Sequence, residues 1–217
     1  MKRISIALVA LLLLCASARA VDVDTTLSGL QSYWGAIDTF TARFVQNKHL
    51  SLFSDDMASR GTFAYKKPGD MVFRYDPPDD TIIGFKPGDG LVTYYFPSIK
   101  KATRYHFSPG ADIPKGMSFG LGPIGDITAL KKLFIITAGE TGGITTMTLV
   151  PKDRNDSKKE IAVSFRKDYT PLKVRISEKN GDFAVLDFSG QRVNPPVSDS
   201  LFEVKLPRDV TVEDVGK

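Results

Sequence analysis

After Asp38 the apolar residues of this 217-residue chain alternate with polar ones, and this alternation constrains the fold more than any other feature. Phe40, Ala42 and Phe44 fall on one face of an extended segment, because successive side chains of a strand point to opposite faces. Short alternating runs follow, without helical patterns between consecutive runs. The pattern predicts a mainly β fold with few helices, built on a large, curved antiparallel sheet rather than on βαβ units.

Glycine and asparagine pairs mark the predicted hairpins, because these residues adopt the left-handed conformations that tight turns need. They occur at Gly88-Asp89-Gly90, Gly142-Gly143 and Asn180-Gly181. The predicted strands span residues 59–67, 71–76, 80–85, 91–97, 101–107, 133–138, 144–150, 160–166, 171–178, 182–189 and 202–206.

Two helices accompany the predicted sheet. In the first, Leu27, Leu30, Trp34 and Ile37 recur at helical spacing, and Thr25 or Asp24 would cap it. Gly35 would weaken its last turn. The second is short, starts at Asp126, carries Ile127 and Leu130, and ends before Leu133.

Residues 1–20 have the pattern of a secretory signal peptide. Met1-Lys2-Arg3 is a basic start, residues 4–18 are almost entirely apolar, and Ala18-Arg19-Ala20 has the small residues that a signal peptidase recognises. The apolar run is shorter than the ~20 residues that span a bilayer. We expect cleavage before Val21, residues 21–217 forming a single domain, and a periplasmic location in a Gram-negative bacterium.

Cleavage there would change the charge and remove the single cysteine, Cys15. Three of the 29 basic residues lie in residues 1–20, so the mature chain would have 26 basic and 25 acidic residues and a net charge of +1. A net charge this small does not favour nucleic-acid binding. A chain without cysteine has no disulfide, thiolate metal site or cysteine nucleophile. The alternative is lipidation of Cys15, although Leu14 stands where a small residue is expected.

Aromatic residues are concentrated on particular strand faces. Period two puts Phe63, Tyr65 and Lys67 on one face, and Pro68 keeps Lys67 extended. The neighbouring runs contribute further large side chains to shared faces: Met71, Phe73 and Tyr75, then Tyr94 and Phe96. Stacked across strands, these rings would line a concave face with one ammonium near its edge. The alternative is that they fill an ordinary core, the commoner fate of aromatic stripes.

The sequence contains no arrangement that indicates an enzyme or a metal site. His49 and His106 are far apart and have no neighbouring ligand residues, so we expect no metal and no cofactor. Residues 120–125 match a dinucleotide glycine pattern, but no strand–helix–strand unit surrounds them, and a mobile loop is the better interpretation. The hydrolase, zinc-protease and P-loop spacings do not occur.

Several of these segments, in this order, resemble the periplasmic outer-membrane lipoprotein carrier family, LolA. They are residues 40–46, residues 61–68, Phe73 to Pro78, Asp89-Gly90, Tyr94 to Pro97, and the ending from Pro207 to Val212. The resemblance implies an unclosed, half β-barrel with a helical lid and an aromatic-lined cavity for acyl chains. The rings that would line it are Phe40, Phe44, Phe63, Tyr65, Phe73, Tyr75, Tyr94 and Phe96, together with Met71.

The same resemblance implies a function and partners. A soluble, monomeric carrier would receive acylated lipoproteins from an inner-membrane releasing complex and hand them to an outer-membrane receptor. The family has an arginine before the proline, associated with lid closure, where this chain has Lys67. We expect Lys67 to act as a polar latch at the cavity rim, bonding to carbonyls of the lid or to ligand head groups.

Two alternatives stay open at this point. A protein of this fold could carry another lipid, such as a glycolipid or phospholipid, or it could be a periplasmic domain that senses lipoproteins. For Lys67, the alternative to the latch is a solvated lysine at a strand end.

Overall fold

The computed structural model describes residues 19–53, 56–108 and 127–216, and they form one 13-stranded sheet with two α-helices. The helices are α1 (Val23–Gly35) and α2 (Ile127–Leu133). The strands are β1 (Arg19–Ala20), β2 (Thr39–His49), β3 (Met57–Lys66), β4 (Asp70–Tyr75), β5 (Ile82–Lys86), β6 (Leu91–Phe96), β7 (Lys101–His106), β8 (Phe134–Thr141), β9 (Ile144–Pro151), β10 (Lys158–Arg166), β11 (Pro171–Glu178), β12 (Phe183–Val193) and β13 (Thr211–Val215).

The strand order is β1-β8-β9-β10-β11-β12-β2-β3-β4-β5-β6-β7-β13, and every pair except β7–β13 is antiparallel. The two outermost strands, β1 and β13, do not pair with each other in the described ranges, so the sheet is unclosed there. One buried cluster nevertheless joins Met147 and Leu149 of β9 to Phe85 and Val92 near the other edge. Such distant strands share a core because the sheet curls around its concave face. The predicted curved antiparallel sheet is confirmed.

Helix α1 covers one end of this concave face. Asp22, not Thr25 or Asp24, is its cap, and the Asp22 carboxylate accepts a 2.7 Å hydrogen bond from the Thr25 amide. Leu27, Leu30 and Trp34 are buried in the core as their spacing predicts. Gly35 is the last helical residue.

The hairpin signals are also confirmed, because each lies between paired strands. Gly142 and Gly143 join β8 to β9 with φ of 59° and 77°, the left-handed region that favours glycine. Asn180-Gly181 joins β11 to β12, and Gly90 closes the turn between β5 and β6.

The predicted strand at 202–206 is wrong. Asp199–Phe202 form a 3-10 turn, and the chain beyond it lies against the convex face, where Phe202 packs with Ala64 and Val72. The Arg74 guanidinium donates to the carbonyls of Leu201 and Glu203 at 2.8 and 3.1 Å. These carbonyls therefore bond to a side chain instead of to a strand.

At the N terminus, Arg19 and Ala20 of β1 pair with Glu140 and Gly139 of β8. Cleavage before Val21, which stays a prediction, would remove this pair and leave β8 at the edge. The start of the second helix at Asp126 and the glycine pattern at 120–125 lie outside the described residues. No helix among the described residues is long and apolar enough to cross a membrane.

Candidate functional site

Strand pairing places the predicted aromatic residues on one face. Phe63 of β3 pairs with Phe73 of β4, and Tyr65 pairs with Met71, so all four side chains point to the concave side. The rings of Phe63 and Phe73 lie 4.7 Å apart. On β6, Tyr94 pairs with Ile83, which itself pairs with Phe73, and this continues the same face.

At the end covered by α1, aromatic side chains of the sheet pack against the helix. Trp34 of the helix contacts the rings of Phe40 and Tyr65 at 5.5 and 5.4 Å, and both rings are inaccessible to solvent. Aromatic pairs at these separations add to the free energy of burial. This end of the concave face is a packed core.

Lys67 lies on the border of this covered end. Its exposed side chain donates a 3.1 Å hydrogen bond from Nζ to the carbonyl oxygen of Gly35, the last residue of α1. The last turn of α1 has no basic residue of its own. Lys67 thus supplies the positive charge that stabilises a helix C-terminus, and it bonds to a carbonyl of the covering helix.

The other end of the concave face is open and contains a cavity of about 450 Å³. This volume lies within the range of ligand-binding clefts, roughly 300–1,000 Å³. The apolar and aromatic residues of its wall are Leu50, Phe73, Tyr75, Ile83, Ile176, Phe183, Ala184 and Leu186. Its polar residues are Gln46, Lys48, Lys158, Glu178, Asn180 and Asp182.

Two polar side chains of the cavity are held by neighbours. The Tyr75 hydroxyl donates to Gln46 Oε1 at 2.9 Å, and burial raises the pKa of Tyr75 to about 12. Asp182 accepts hydrogen bonds from the amide and hydroxyl of Ser51, which lower the pKa of this exposed carboxyl. Both groups therefore keep their ordinary charge at neutral pH.

The predicted cavity residues are divided between the two ends. Phe73 and Tyr75 line the cavity, whereas Phe40, Phe44, Phe63, Tyr65 and Met71 are buried in the packed core. Tyr94 is partly buried and contacts Tyr105 at 5.8 Å, and Phe96 is partly buried. That these rings contact a lipid stays a prediction.

The sequence interpretation identified only Phe73 and Tyr75 among the fourteen residues of the cavity wall, and it missed the whole part from β10, β11 and β12. Alternation along β11 and β12 could have identified it, since Val174, Ile176 and Glu178 share one face of β11 and Ala184 and Leu186 share the matching face of β12. Lys158 had no such signal, because a bulge at the start of β10 sets its direction.

The two histidines are hydrogen-bonded to different aspartates. His49 Nδ1 is 2.6 Å from Asp56, and His106 Nε2 is 2.6 Å from Asp214. Within the described ranges, no group of three histidine, cysteine, aspartate or glutamate side chains could hold a metal ion.

Known proteins resemble this chain in sequence and in fold. A curated outer-membrane lipoprotein carrier protein from Pseudomonas entomophila is 27% identical over 174 residues, which are 80% of this chain and 81% of the relative. A solved uncharacterised conserved protein from Thermus thermophilus has a TM-score of 0.51 at 10% identity, covering 88% of this chain and 98% of its own. A solved LolA superfamily protein from Nitrosomonas europaea has a TM-score of 0.44 at 13% identity, with coverage of 85% and 99%.

The family profile described as outer membrane lipoprotein carrier protein LolA matches residues 35–205. This range runs from the end of α1 through β12 and the segment that crosses the convex face. The members of this family are carriers and not enzymes. The chain belongs to the LolA family of outer-membrane lipoprotein carrier proteins.

Proposed function

We propose that this protein is a periplasmic carrier that shields the acyl chains of lipoproteins and moves them from the inner to the outer membrane. The observation that carries the proposal is the cavity at the open end of the unclosed sheet, with its apolar wall. Family membership and the signal-peptide pattern of residues 1–20 support the route and the location.

The energetics of acyl chains explain why a carrier needs such a cavity. Exposing a chain to water costs about 0.8 kcal/mol per methylene, so a multiply acylated protein does not cross an aqueous compartment unshielded. The carrier must nevertheless release the acyl chains, and this release should not require a large conformational change. A cavity bounded by strand side chains and open at one end lets the chains enter and leave while the packed core under α1 stays intact.

The partners follow from the same route. The cargo would arrive from an inner-membrane releasing complex and leave to an outer-membrane receptor, with the carrier itself a monomer. A carrier of another lipid, such as a glycolipid or phospholipid, would use the same cavity and would differ only in what is bound.

Mass spectrometry of the protein purified from the periplasm under native conditions tests the proposal. We expect a mature chain that begins at Val21 and carries acylated lipoprotein. Co-purification of lipid without lipoprotein would identify another lipid as the cargo. A chain that begins at an acylated Cys15 would contradict the soluble carrier.

The matched control is a lipoprotein whose lipidated cysteine is replaced by serine. This control presents the same polypeptide without acyl chains, so the carrier should not retain it. Equal binding of acylated and unacylated forms would show that the cavity is not the binding site.

A further inference from the structure

Lys158 is a buried lysine on the wall of the open cavity. Only 6% of the residue is exposed, although lysine is almost never fully buried unless it is paired. Lys158 belongs to the face of β10 that carries the core residues Ile161 and Val163, because the register of β10 against β11 shifts between Lys158 and Glu160. Bulges of this kind redirect a side chain, and here the bulge turns an ammonium toward the cavity.

One carboxylate, that of Asp156, forms an ion pair with this ammonium without a hydrogen bond. The nearest carboxylate oxygen, Oδ1 of Asp156, lies 3.8 Å from Nζ, too far for a hydrogen bond. The same oxygen accepts the backbone amide of Lys158 at 2.9 Å. Within residues 19–53, 56–108 and 127–216, Nζ makes no hydrogen bond. A lysine ammonium has three donors, and Nζ is not sealed off from solvent although the rest of the residue is buried, so these donors are open to an acceptor in the cavity.

Neither of the two carboxylates that line the cavity, Asp182 and Glu178, accepts a hydrogen bond from Lys158 Nζ within the described residues. Both carboxylate oxygens of Asp182 are already occupied, by Ser51 and by Asn180. Glu178 pairs with Lys158 in the strand register, yet no ion pair joins their side chains within the described residues. Lys48 lies at the exposed rim.

We infer that Lys158 binds the anionic head of a single-chain amphiphile, a carboxylate or a phosphate, whose hydrocarbon chain lies along Phe73, Ile83 and Leu186. This inference rests on the proposed function, since it assumes that the cavity takes acyl chains. It favours a charged lipid over a lipoprotein as the cargo, because the ester groups of a lipoprotein's acyl chains carry no charge for this ammonium to neutralise. The oxygens of a carboxylate or phosphate would occupy the free donors of Nζ.

A comparison of palmitate with its methyl ester, by calorimetric titration of the delipidated mature chain below the micelle concentration, tests the inference. Palmitate should bind at least about tenfold more tightly, the value of one charge-assisted hydrogen bond. This comparison needs no variant. Equal affinities for the acid and the ester would overturn the inference and leave the proposed function intact, whereas binding of neither would overturn both.

Variants locate the effect at Lys158. Lys158→Met keeps an unbranched, apolar stem and should bind the acid and the ester equally, whereas Lys158→Arg should keep the preference. Lys48→Met is the matched control, because Lys48 lines the same cavity at its exposed rim, and it should keep the preference for palmitate. A preference for the acid that survives in folded Lys158→Met would exclude Lys158 as the binding group.

A third probe, palmitoyl lysophosphatidic acid, distinguishes a lipid phosphate from a fatty-acid carboxylate as the anionic head. Tighter binding of this phosphate than of palmitate would identify a phosphorylated lipid, and the reverse order would identify a fatty acid. Either order supports the inference if Lys158→Met weakens both ligands. Glu178→Gln, which removes a negative charge from the cavity wall, should strengthen binding of both.

Discussion

The two ends of the concave face differ although the same strands build both. Along β2, the inward-facing side chains change from Phe40, Ala42 and Phe44 to Gln46 and then Lys48. At the first end α1 adds Trp34 and the rings pack to exclude solvent, whereas at the second end the cavity remains. Curvature alone therefore does not create a binding site. A site is left where the covering helix ends and the residues become polar.

The comparison separates stability from binding. Side chains at the covered end contribute to the free energy of unfolding, and side chains at the open end should contribute to affinity for an acyl chain. Phe73 belongs to both, because it is buried against Phe63 and also lines the cavity. Substitutions confined to one end test this division more cleanly than changes at Phe73.

The largest effect is expected at the covered end, where Phe63→Ala should lower the free energy of unfolding by about 3–5 kcal/mol. Phe63 is 1% exposed and its ring contacts those of Phe40, Phe73 and Phe188. Urea unfolding measures the loss. The control is Leu50→Ala in the cavity wall, which should cost less stability and weaken binding of an apolar dye. If the two variants had equal unfolding midpoints, the division between the ends would be wrong.

A second effect is expected at Gly61, on the boundary between the two ends. A Cβ there would lie 2.1 Å from the carbonyl oxygen of Arg74 and 2.9 Å from the Phe44 ring. Because a backbone atom cannot move aside cheaply, Gly61→Ala should destabilise by about 1–3 kcal/mol. Gly88→Ala, with no atom within 4 Å, should change stability by less than about 0.5 kcal/mol in the same unfolding assay. A neutral Gly61→Ala would show that β3 and β4 can separate at this point.

Much of the covered end could be predicted from the sequence. The period-two register put Phe63 and Tyr65 on one face with Met71 and Phe73, and the strand pairing confirms it. Alternation reports this correctly because regular strands determine which face each residue occupies. The helical spacing of Leu27, Leu30 and Trp34 likewise predicted the covering helix, because a regular helix places these residues on one face.

The parts that could not be predicted depend on irregular backbone and on edge pairing. The bulge beside Lys158 reverses the expected alternation, and no residue type marks it. At 202–206 the alternation of Phe202, Val204 and Leu206 resembles a strand, but Arg74 bonds to the backbone there. Strand β13 was missed because all its residues are exposed, and no alternation of apolar residues marks its backbone pairing with β7 or the contact between His106 and Asp214.

A third effect concerns the pH dependence of stability and involves Tyr75 at the open cavity. Burial raises the pKa of Tyr75 to about 12, so the folded state holds this proton more tightly than the unfolded chain, whose tyrosine pKa is about 10. The resulting stability is fully present below pH ~10 and is lost as the pH rises toward ~12, on the order of 2 kcal/mol. Tyr75→Phe should remove this part of the alkaline loss.

Absorbance at 295 nm, which reports tyrosinate, checks this directly. The native protein should show a late phase that the urea-unfolded protein lacks, and Tyr75→Phe should reduce that phase. Burial also raises the pKa of Tyr94 to about 12, so part of the late phase should remain. A late phase of unchanged amplitude in Tyr75→Phe would mean that Tyr75 is solvated in solution and that the cavity is wider than described.

The smallest effect is expected at Lys67, which joins the covering helix to the sheet. Lys67→Met removes the hydrogen bond to Gly35 and the positive charge at the end of α1, and a charge at an exposed helix terminus contributes about 0.3–1 kcal/mol. Amide hydrogen exchange should therefore accelerate in the last turn of α1, with little change in global unfolding. Lys67→Arg should behave like the parent protein, because a guanidinium can donate to the same carbonyl.

Lys66→Met is the matched control, since the neighbouring Lys66 pairs with Asp199 instead of with α1. It should leave exchange in α1 unchanged. If Lys67 is also the latch for the cargo, Lys67→Met should change the rate at which an acylated lipoprotein passes to acceptor vesicles, and Lys66→Met should not. Faster exchange in α1 with an unchanged transfer rate would assign Lys67 to the helix terminus alone. In that case the covered end would be structural throughout, and release of the cargo would depend on the open end.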